Sequence, residues 1–584
     1  MFRLLRFLRP YRLHGLLGPA CKLLEAIFEL FVPLVVADMV DRGVASGDVG
    51  YVMQRGGLLV SLVVLGMVFS LVCQTLASRA SQGVGTDMRR ALFHHINTLD
   101  WANQEKLGAP TLIQRMTGDI NQMQVAVAML IRLVVRAPFL VMGALIMAFR
   151  INVQLAWIFV TIIGLMSLIL YLVMSRTVPS LKQIQKNNDQ MSNAIRENLS
   201  GARVVRAFRS QEREESKFIQ VVEAVTKTYT RVGKYNASLA PLCFLVLNVG
   251  ILAVLYFGGY LVDGGRLTQG QLIALVQYMN QILLALVVTA NLVVIFTKAA
   301  ASAQRINEVF DLQPAIIDEG SVHALPDARG EVRFNHVYFS YHGNQSDDHS
   351  EESVFWALRD ITLSAPPGSH IGIIGATGSG KSTLVQLLPR LYDVVRGEVL
   401  LDGVAVRDYP RQELHRRVAM VSQQASLFSG TIRDNLLWRS PDATEEMIWR
   451  ALAIAQAEDF VRSMPKGLDA MVVQGGANLS GGQKQRLTIA RALVGYPNVL
   501  ILDDSSSALD YATDRALRDA LAHMQNPPTR LTVSQRIGTV RTCDKIWVME
   551  AGEVVGVGTH DQLIKSCLVY QEICKTQLRK EEWS

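Results

Sequence analysis

Apolar runs long enough to cross a bilayer recur over the first 300 residues, at roughly 15–40, 56–78, 128–149, 153–175, 239–262 and 271–296. Each is near the ~20 residues that a spanning helix needs, so the pattern predicts six membrane helices with both ends of this region on one side. The segments after the first, third and fifth runs are short. Those after the second and fourth are long, polar and compatible with helix, carrying Arg89, Arg90, Lys106 and Arg115 in one and a basic stretch from Lys182 to Lys234 in the other. Lys and Arg concentrate on the cytoplasmic side of membrane proteins, which places both long segments and both termini there. Connections of this length need structure of their own. They are predicted as helical extensions of the spans, with Trp101–Thr111 and Ala207–Phe218 as contact points for a cytoplasmic domain; solvated loops are the alternative.

Beyond about residue 300 the pattern changes to short β-branched runs alternating with helical stretches and Gly-rich turns, which is α/β sequence. Residues 1–300 are therefore read as a transmembrane domain and 331–584 as an α/β domain. The stretch 301–330, with Pro314, Gly320, Pro326 and Gly330, is read as the linker. A polar, acidic run between Tyr341 and Val354, HGNQSDDHSEES, is expected to be a surface loop. Two large domains agree with a length of 584 residues, half of them hydrophobic. The net charge of +7 lies mainly beside the apolar runs rather than in a separate basic domain, which argues for membrane topology and against a nucleic-acid partner. Six cysteines, Cys21, Cys73, Cys243, Cys543, Cys567 and Cys574, show neither CxxC spacing nor paired histidines, so reduced structural thiols are expected. The opening MFRLLRFLRPYR lacks a small-residue cleavage site and is read as a retained amphipathic elbow at the inner membrane face.

The chemistry begins after the apolar strand Ile371–Ile374. Gly375-Ala376-Thr377-Gly378-Ser379-Gly380-Lys381-Ser382 follows that strand and opens a helical stretch beginning at Thr383, the setting a P-loop requires. The glycines let backbone N–H groups close around phosphate oxygens, Lys381 offsets phosphate charge and Ser382 can ligate Mg²⁺. A second apolar strand, Val499–Leu502, delivers Asp503 and Asp504, with Asp503 suited to orient the metal. Between the two strands lies Leu479-Ser480-Gly481-Gly482-Gln483, a Gly-rich turn entering a helix that suits a phosphate from another direction.

An LSGGQ turn between a P-loop and an aspartate-ended strand resembles the signature motif of ABC ATPases, and the likeness extends over nearly the whole chain, including the six predicted spans. The chain is thus similar to ABC exporters that fuse one six-helix transmembrane domain to one P-loop nucleotide-binding domain. That resemblance implies a multi-pass protein of the inner or plasma membrane, with ATP and Mg²⁺ as cofactors and a second half-transporter subunit as partner. Each ATP would lie between one chain's P-loop, Gly375 to Thr383, and the other's Ser480, Gly481, Gly482 and Gln483. It further implies that Tyr341 stacks on adenine, that Gln423 links Mg²⁺ to the transmembrane domain, and that Ser507-Ala508-Leu509-Asp510 is the D-loop.

Two departures from the family pattern stand at the γ-phosphate. The general base after the Walker B aspartate is usually glutamate, and here it is Asp504. One methylene fewer retracts the carboxylate by ~1.5 Å, and a misplacement of about 1 Å can cost on the order of 10²-fold in rate. The switch histidine is replaced by Gln535, which can reach a phosphate but carries no charge and relays no proton. Together they resemble the degenerate-site subunit of heterodimeric exporters, whose own site binds ATP and hydrolyses it poorly while its LSGGQ completes the partner's site. A homodimer with slow turnover is the competing reading.

Ionisable residues within a span are costly and often functional. Lys22, Glu25 and Glu29 share a face of the first span. They could form an acidic cavity wall suited to a cationic amphiphile, or a Lys22–Glu25 pair plus a carboxylate packed between helices. Gln277, Asn280, Gln281 and Asn291 in the last span could line a path or bond between helices. Export of an amphipathic small molecule is the expected activity; peptide or lipid export and ATP-gated regulation are the alternatives.

Overall fold

The computed structural model describes residues 2–314, 316, 320, 329–341 and 355–577. The predicted acidic loop after Tyr341 and most of the predicted linker beyond Pro314 lie outside these residues. The chain divides into two compact units, one of residues 1–98 with 107–313 and one of residues 99–106 with 314–584.

The first unit is helical. Its long helices are α1 (Arg12–Asp38), α2 (Val49–Thr98), α4 (Ala109–Ile151, with π turns at Arg115–Asp119 and Leu130–Val134), α5 (Val153–Ser200), α6 (Gln211–Asp263) and α7 (Gln269–Asp311). Among the described residues α2, α4, α5, α6 and α7 are long and apolar enough to span a bilayer. The helix α1 coincides with the first predicted span but stands outside that group, because Lys22, Glu25 and Glu29 interrupt its apolar sequence. Helices α2, α5 and α6 run 50, 48 and 53 residues, far beyond the ~20 that cross hydrocarbon, so the polar segments do extend the spans as helix. Helix α7 likewise continues to Asp311, eleven residues into the predicted linker.

The charges of α1 are paired. Lys22 Nζ lies 2.5 Å from Glu25 Oε2 and 3.0 Å from Ser70 Oγ. Glu29 Oε2 accepts from Arg136 at 2.6 Å, and Arg136 also stands 4.0 Å from Glu25. Both carboxylates therefore have cationic partners within the unit, which favours the paired alternative over an acidic wall: in a low-dielectric setting an unpaired carboxylate costs more than a paired one. Gln281 donates to the Glu29 carbonyl at 3.1 Å and Asn280 to its own helix at Val276, so these two polar residues serve helix-to-helix and helix-internal bonds.

Two further joints hold this unit. Asp119, 2% exposed, accepts from Ser302 at 2.9 Å and from Arg115 and Arg305, tying α4 to α7. At the start of α7, Asp41 accepts from the Gly270 N–H at 2.7 Å and the Thr268 hydroxyl at 2.5 Å. A Cβ on Gly270 would sit 2.2 Å from the Ala37 carbonyl oxygen, so only glycine allows this approach. The predicted elbow is a short helix, Phe2–Tyr11, with Leu4 buried, Tyr11 bonded to Asp87 and Arg3 paired with Asp311.

The second unit holds two sheets. Strands β1 (Val332–Phe339), β2 (Leu358–Ala365), β4 (Arg396–Leu401) and β5 (Val404–Ala405) form an antiparallel sheet ordered β2-β1-β4-β5, while β3 (His370–Gly375), β6 (Val418–Val421), β9 (Val499–Asp503), β10 (Thr529–Val533), β11 (Lys545–Glu550) and β12 (Glu553–Gly558) are ordered β12-β11-β3-β10-β9-β6. A short pair, β7 (Gly430–Thr431) with β8 (Met471–Val472), completes the strands of the described residues. In the larger sheet β10 lies between β3 and β9 and runs parallel to both. Their residues are buried almost without alternation, as a sheet covered on both faces demands. The helix α3 (Trp101–Leu107) begins in the segment Leu99–Lys106 that belongs to this unit. Ala102 packs against its hydrophobic core and Tyr392 donates to Glu105 Oε2 at 3.2 Å. These contacts of Ala102 and Glu105 fall within the predicted contact segment Trp101–Thr111.

Candidate nucleotide site

Register fixes the site. Val533 pairs with Ile373 on one side and with Asp503 on the other, so the strand ends leading to the P-loop, to Gln535 and to the two aspartates stand side by side. Ligands of open α/β sheets bind outside such carboxyl ends. A cavity of about 520 Å³ opens there, lined by Tyr341, Thr377, Gly378, Gly380, Lys381, Ser382, Thr383, Gln423, Asp503, Asp504 and Gln535 of the predicted site. Phe355, Trp356, Ser534 and Gly552 also line it. Sequence reasoning missed them because they carry no motif of their own. Gly375 and Ser379 lie behind the lining, with Ser379 3% exposed.

The P-loop turns through left-handed conformations at Gly378 (φ +81°) and Gly380 (φ +94°). A Cβ on Gly380 would meet Leu358 Cδ2 at 2.9 Å, whereas one on Gly378 would meet nothing within 4 Å. Lys381, 7% exposed, donates to the carbonyls of Gly375 at 3.0 Å and Ala376 at 2.6 Å and to Ser379 Oγ at 3.3 Å. Burial lowers its pKa, opposed by the charges of Asp503 and Asp504. A buried ammonium held mainly by neutral oxygens favours an arriving anion, so the cradle fits phosphate.

The helix α8 (Lys381–Leu387) begins at the P-loop lysine, so Ser382 stands in its first turn. The Ser382 hydroxyl donates to Asp503 Oδ1 at 2.9 Å. Gln423 Nε2 donates to Asp504 Oδ2 at 3.3 Å. Burial raises the pKa of both aspartates, against the Ser382 bond at Asp503 and against Arg536 and Lys381 at Asp504. Serine hydroxyl, carboxylate and amide oxygen make a hard-oxygen donor set, which fits Mg²⁺ better than a softer metal. Asp504 itself adopts φ +45° and anchors its N–H on the Val533 carbonyl at 3.0 Å, which ties its position to β10, the strand that leads to Gln535. Tyr341 bonds Thr383 Oγ1 at 2.8 Å and sets its ring edge-on to Tyr392, with centroids 5.3 Å apart.

The LSGGQ turn stands apart: among the described residues, none of Ser480 to Gln483 lines this cavity. Ser480 instead caps helix α9 (Gly481–Leu493), accepting from the Gln483 N–H at 3.3 Å while Gln483 Oε1 accepts from the Ser480 N–H at 2.9 Å.

The family model described as ABC transporter transmembrane region matches residues 16–286, and that described as ABC transporter matches 358–507. An uncharacterized ABC transporter ATP-binding protein of Mycobacterium tuberculosis is 36% identical over 574 residues, covering 98% of this chain and 97% of that protein. The chain belongs to the ABC transporter family. A second relative, the uncharacterized ABC transporter ATP-binding protein YfiB of Bacillus subtilis, is 33% identical and covers 100% of this chain and 99% of its own length. An ATP-dependent lipid A-core flippase of Vibrio vulnificus is 29% identical, at 98% and 97% coverage. This ABC protein is a multi-pass membrane protein with a cytoplasmic ATP-binding domain, an ATPase coupled to export.

Proposed function

We propose that the chain is one subunit of a heterodimeric exporter of amphipathic molecules, crosses the membrane six times, and supplies the weakly hydrolytic of two ATP sites. The observation that carries the reading is the company Asp504 and Gln535 keep. Both departures line the same cavity as Lys381, Ser382 and Asp503, so they act on one bound nucleotide. The separate position of Ser480–Gln483 leaves that turn free to face a second chain's site. The sixth span would be α1, whose Lys22–Glu25 and Glu29–Arg136 pairs reduce the cost of its charges in lipid.

ATP bound with Mg²⁺ supplies the phosphoanhydride whose cleavage drives export. Lys381 and the P-loop amides would hold its phosphates, Ser382, Gln423 and Asp503 the metal, and Tyr341 the adenine. Asp504 is a carboxylate able to accept a proton from water, but it is shorter than the usual glutamate. The full-length likeness to a protein named as a lipid A-core flippase favours an amphiphile with a large apolar part.

The test is ATPase activity of the purified chain alone and with its partner subunit, with Asp504→Glu and Gln535→His in both settings. Negligible activity alone and robust activity together support the heterodimer. Robust activity alone, with ATP-driven substrate accumulation in inside-out vesicles, would establish the homodimer instead.

A further inference from the structure

The turn that carries Gln535 is held from an unexpected direction. Downstream of the sheet, helix α10 (Ile537–Val540) follows the turn and helix α11 (Leu568–Gln577) packs near it. Gln577, the last residue of α11, donates from Nε2 to the Gln535 carbonyl at 2.7 Å and accepts at Oε1 from the Ile537 N–H at 2.9 Å. One side-chain amide thus spans three consecutive residues of the switch turn with both of its ends. The turn is otherwise held by the Ser534 N–H on the Ile373 carbonyl of β3 at 3.0 Å, the Arg536 N–H on Ser534 Oγ at 3.0 Å and the Thr539 N–H on the Arg536 carbonyl at 3.1 Å.

Helical periodicity explains how Gln577 arrives. Tyr570, Cys574 and Gln577 stand at i, i+4 and i+7, on one stripe of α11. Tyr570 and Cys574 are both 0% exposed, in a cluster with Ile374, Ile537 and Val540. His560 Nδ1 also lies 2.8 Å from the Tyr570 hydroxyl. The buried part of the stripe fixes the helix on the sheet that bears the P-loop strand, and its exposed end projects to the switch turn. An amide meets a carbonyl with its NH₂ and an N–H with its oxygen at the same time; a carboxylate would offer only acceptors.

We infer that Gln577 is a positioning residue for the nucleotide site, setting the backbone from which the Gln535 side chain reaches the γ-phosphate. The inference rests on the reading that Gln535 meets that phosphate. It does not depend on whether the site hydrolyses ATP, because its consequence is a preference between nucleotides. ADP lacks the γ-phosphate, so loosening the turn weakens a triphosphate and leaves ADP alone.

The experiment measures binding of a non-hydrolysable ATP analogue and of ADP to the full chain in lipid nanodiscs with Mg²⁺. It compares wild type, Gln577→Ala, Gln577→Glu, Gln535→Ala and the double variant Gln535→Ala/Gln577→Ala. Loss of one or two partly exposed hydrogen bonds corresponds to roughly three- to tenfold. Gln577→Ala is expected to weaken the analogue by that factor with ADP affinity unchanged, and Gln577→Glu to do at least as much. In the Gln535→Ala background, Gln577→Ala is expected to have no further effect, since the two act as one unit. Equal weakening of ADP and analogue, or the same loss in both backgrounds, would reduce Gln577 to a staple of the fold and overturn the inference. No change in analogue binding on Gln535→Ala would overturn it at the earlier step, that Gln535 reads the γ-phosphate, while leaving the heterodimer reading to its own ATPase test.

Discussion

His370 opens the strand that ends in the P-loop, and it is 7% exposed. Its Nε2 lies 3.0 Å from Thr532 Oγ1 and 3.4 Å from Cys543 Sγ, and its own N–H donates to Asp544. Burial lowers its pKa to about 4, reinforced by Arg530 and opposed by Asp544. An unfolded histidine titrates near 6.5, so between those values the unfolded chain binds a proton that the folded one refuses. Stability is therefore full above about pH 6.5 and falls as the pH drops toward 4, where the loss levels off. The whole gap is worth about 3 kcal/mol, and about 2 kcal/mol of it is lost between pH 7 and pH 5. For a unit of this size that is a drop in melting temperature of about 4–8 °C. The assay is thermal unfolding of the intact protein at both pH values, for wild type and for His370→Gln, which keeps a polar side chain and cannot titrate. The variant should shed most of the acid-induced drop, whatever it costs at pH 7. An unchanged drop in the variant, to within about 1 °C, would refute the argument that this imidazole is held neutral by burial.

Two further outcomes follow from joints in each unit. Asp119→Ala leaves Arg305 and Arg115 without their shared carboxylate; since their side chains are 38% and 18% exposed both keep access to water, so the loss should be about 2 kcal/mol rather than the 3–5 of a fully buried pair. A lowered melting temperature in detergent checks this, and an unchanged one contradicts it. Tyr392→Phe keeps the ring contact to Tyr341 and deletes the bond to Glu105; basal ATPase should stay within about twofold while its stimulation by transport substrate falls several-fold, and undiminished stimulation would show that the Glu105 bond carries nothing between substrate and nucleotide.

The nucleotide site was legible in the sequence to the extent that its residues come in contiguous runs. Gly375 to Ser382 announces itself because a phosphate cradle needs glycines and a lysine at fixed spacing, and Asp503-Asp504 because they end an apolar strand. Gln577 was not legible: it lies 42 residues beyond Gln535, and an isolated glutamine at a helix end carries no pattern. Nor was Arg136. Periodicity put Lys22, Glu25 and Glu29 on one face, but the cation that meets Glu29 is 107 residues away, and a search along one helix cannot find it. The long helices were legible from hydropathy only where lipid demands it. Their polar extensions were inferred from length, and the extent of α7 past residue 300 was hidden by the prolines and glycines that follow it.

The approach of Ala37 to Gly270 bears on how the outer ends of α1 and α7 can part. A contact of backbone against backbone has no rotamer to adjust, so it cannot be relaxed by degrees. A carboxylate that accepts from a hydroxyl and a main-chain N–H holds its two partners only over a few tenths of an ångström. Parting these helix ends would therefore break the Asp41 bonds to Thr268 and Gly270, and any side chain at position 270 would hold the ends apart from the start.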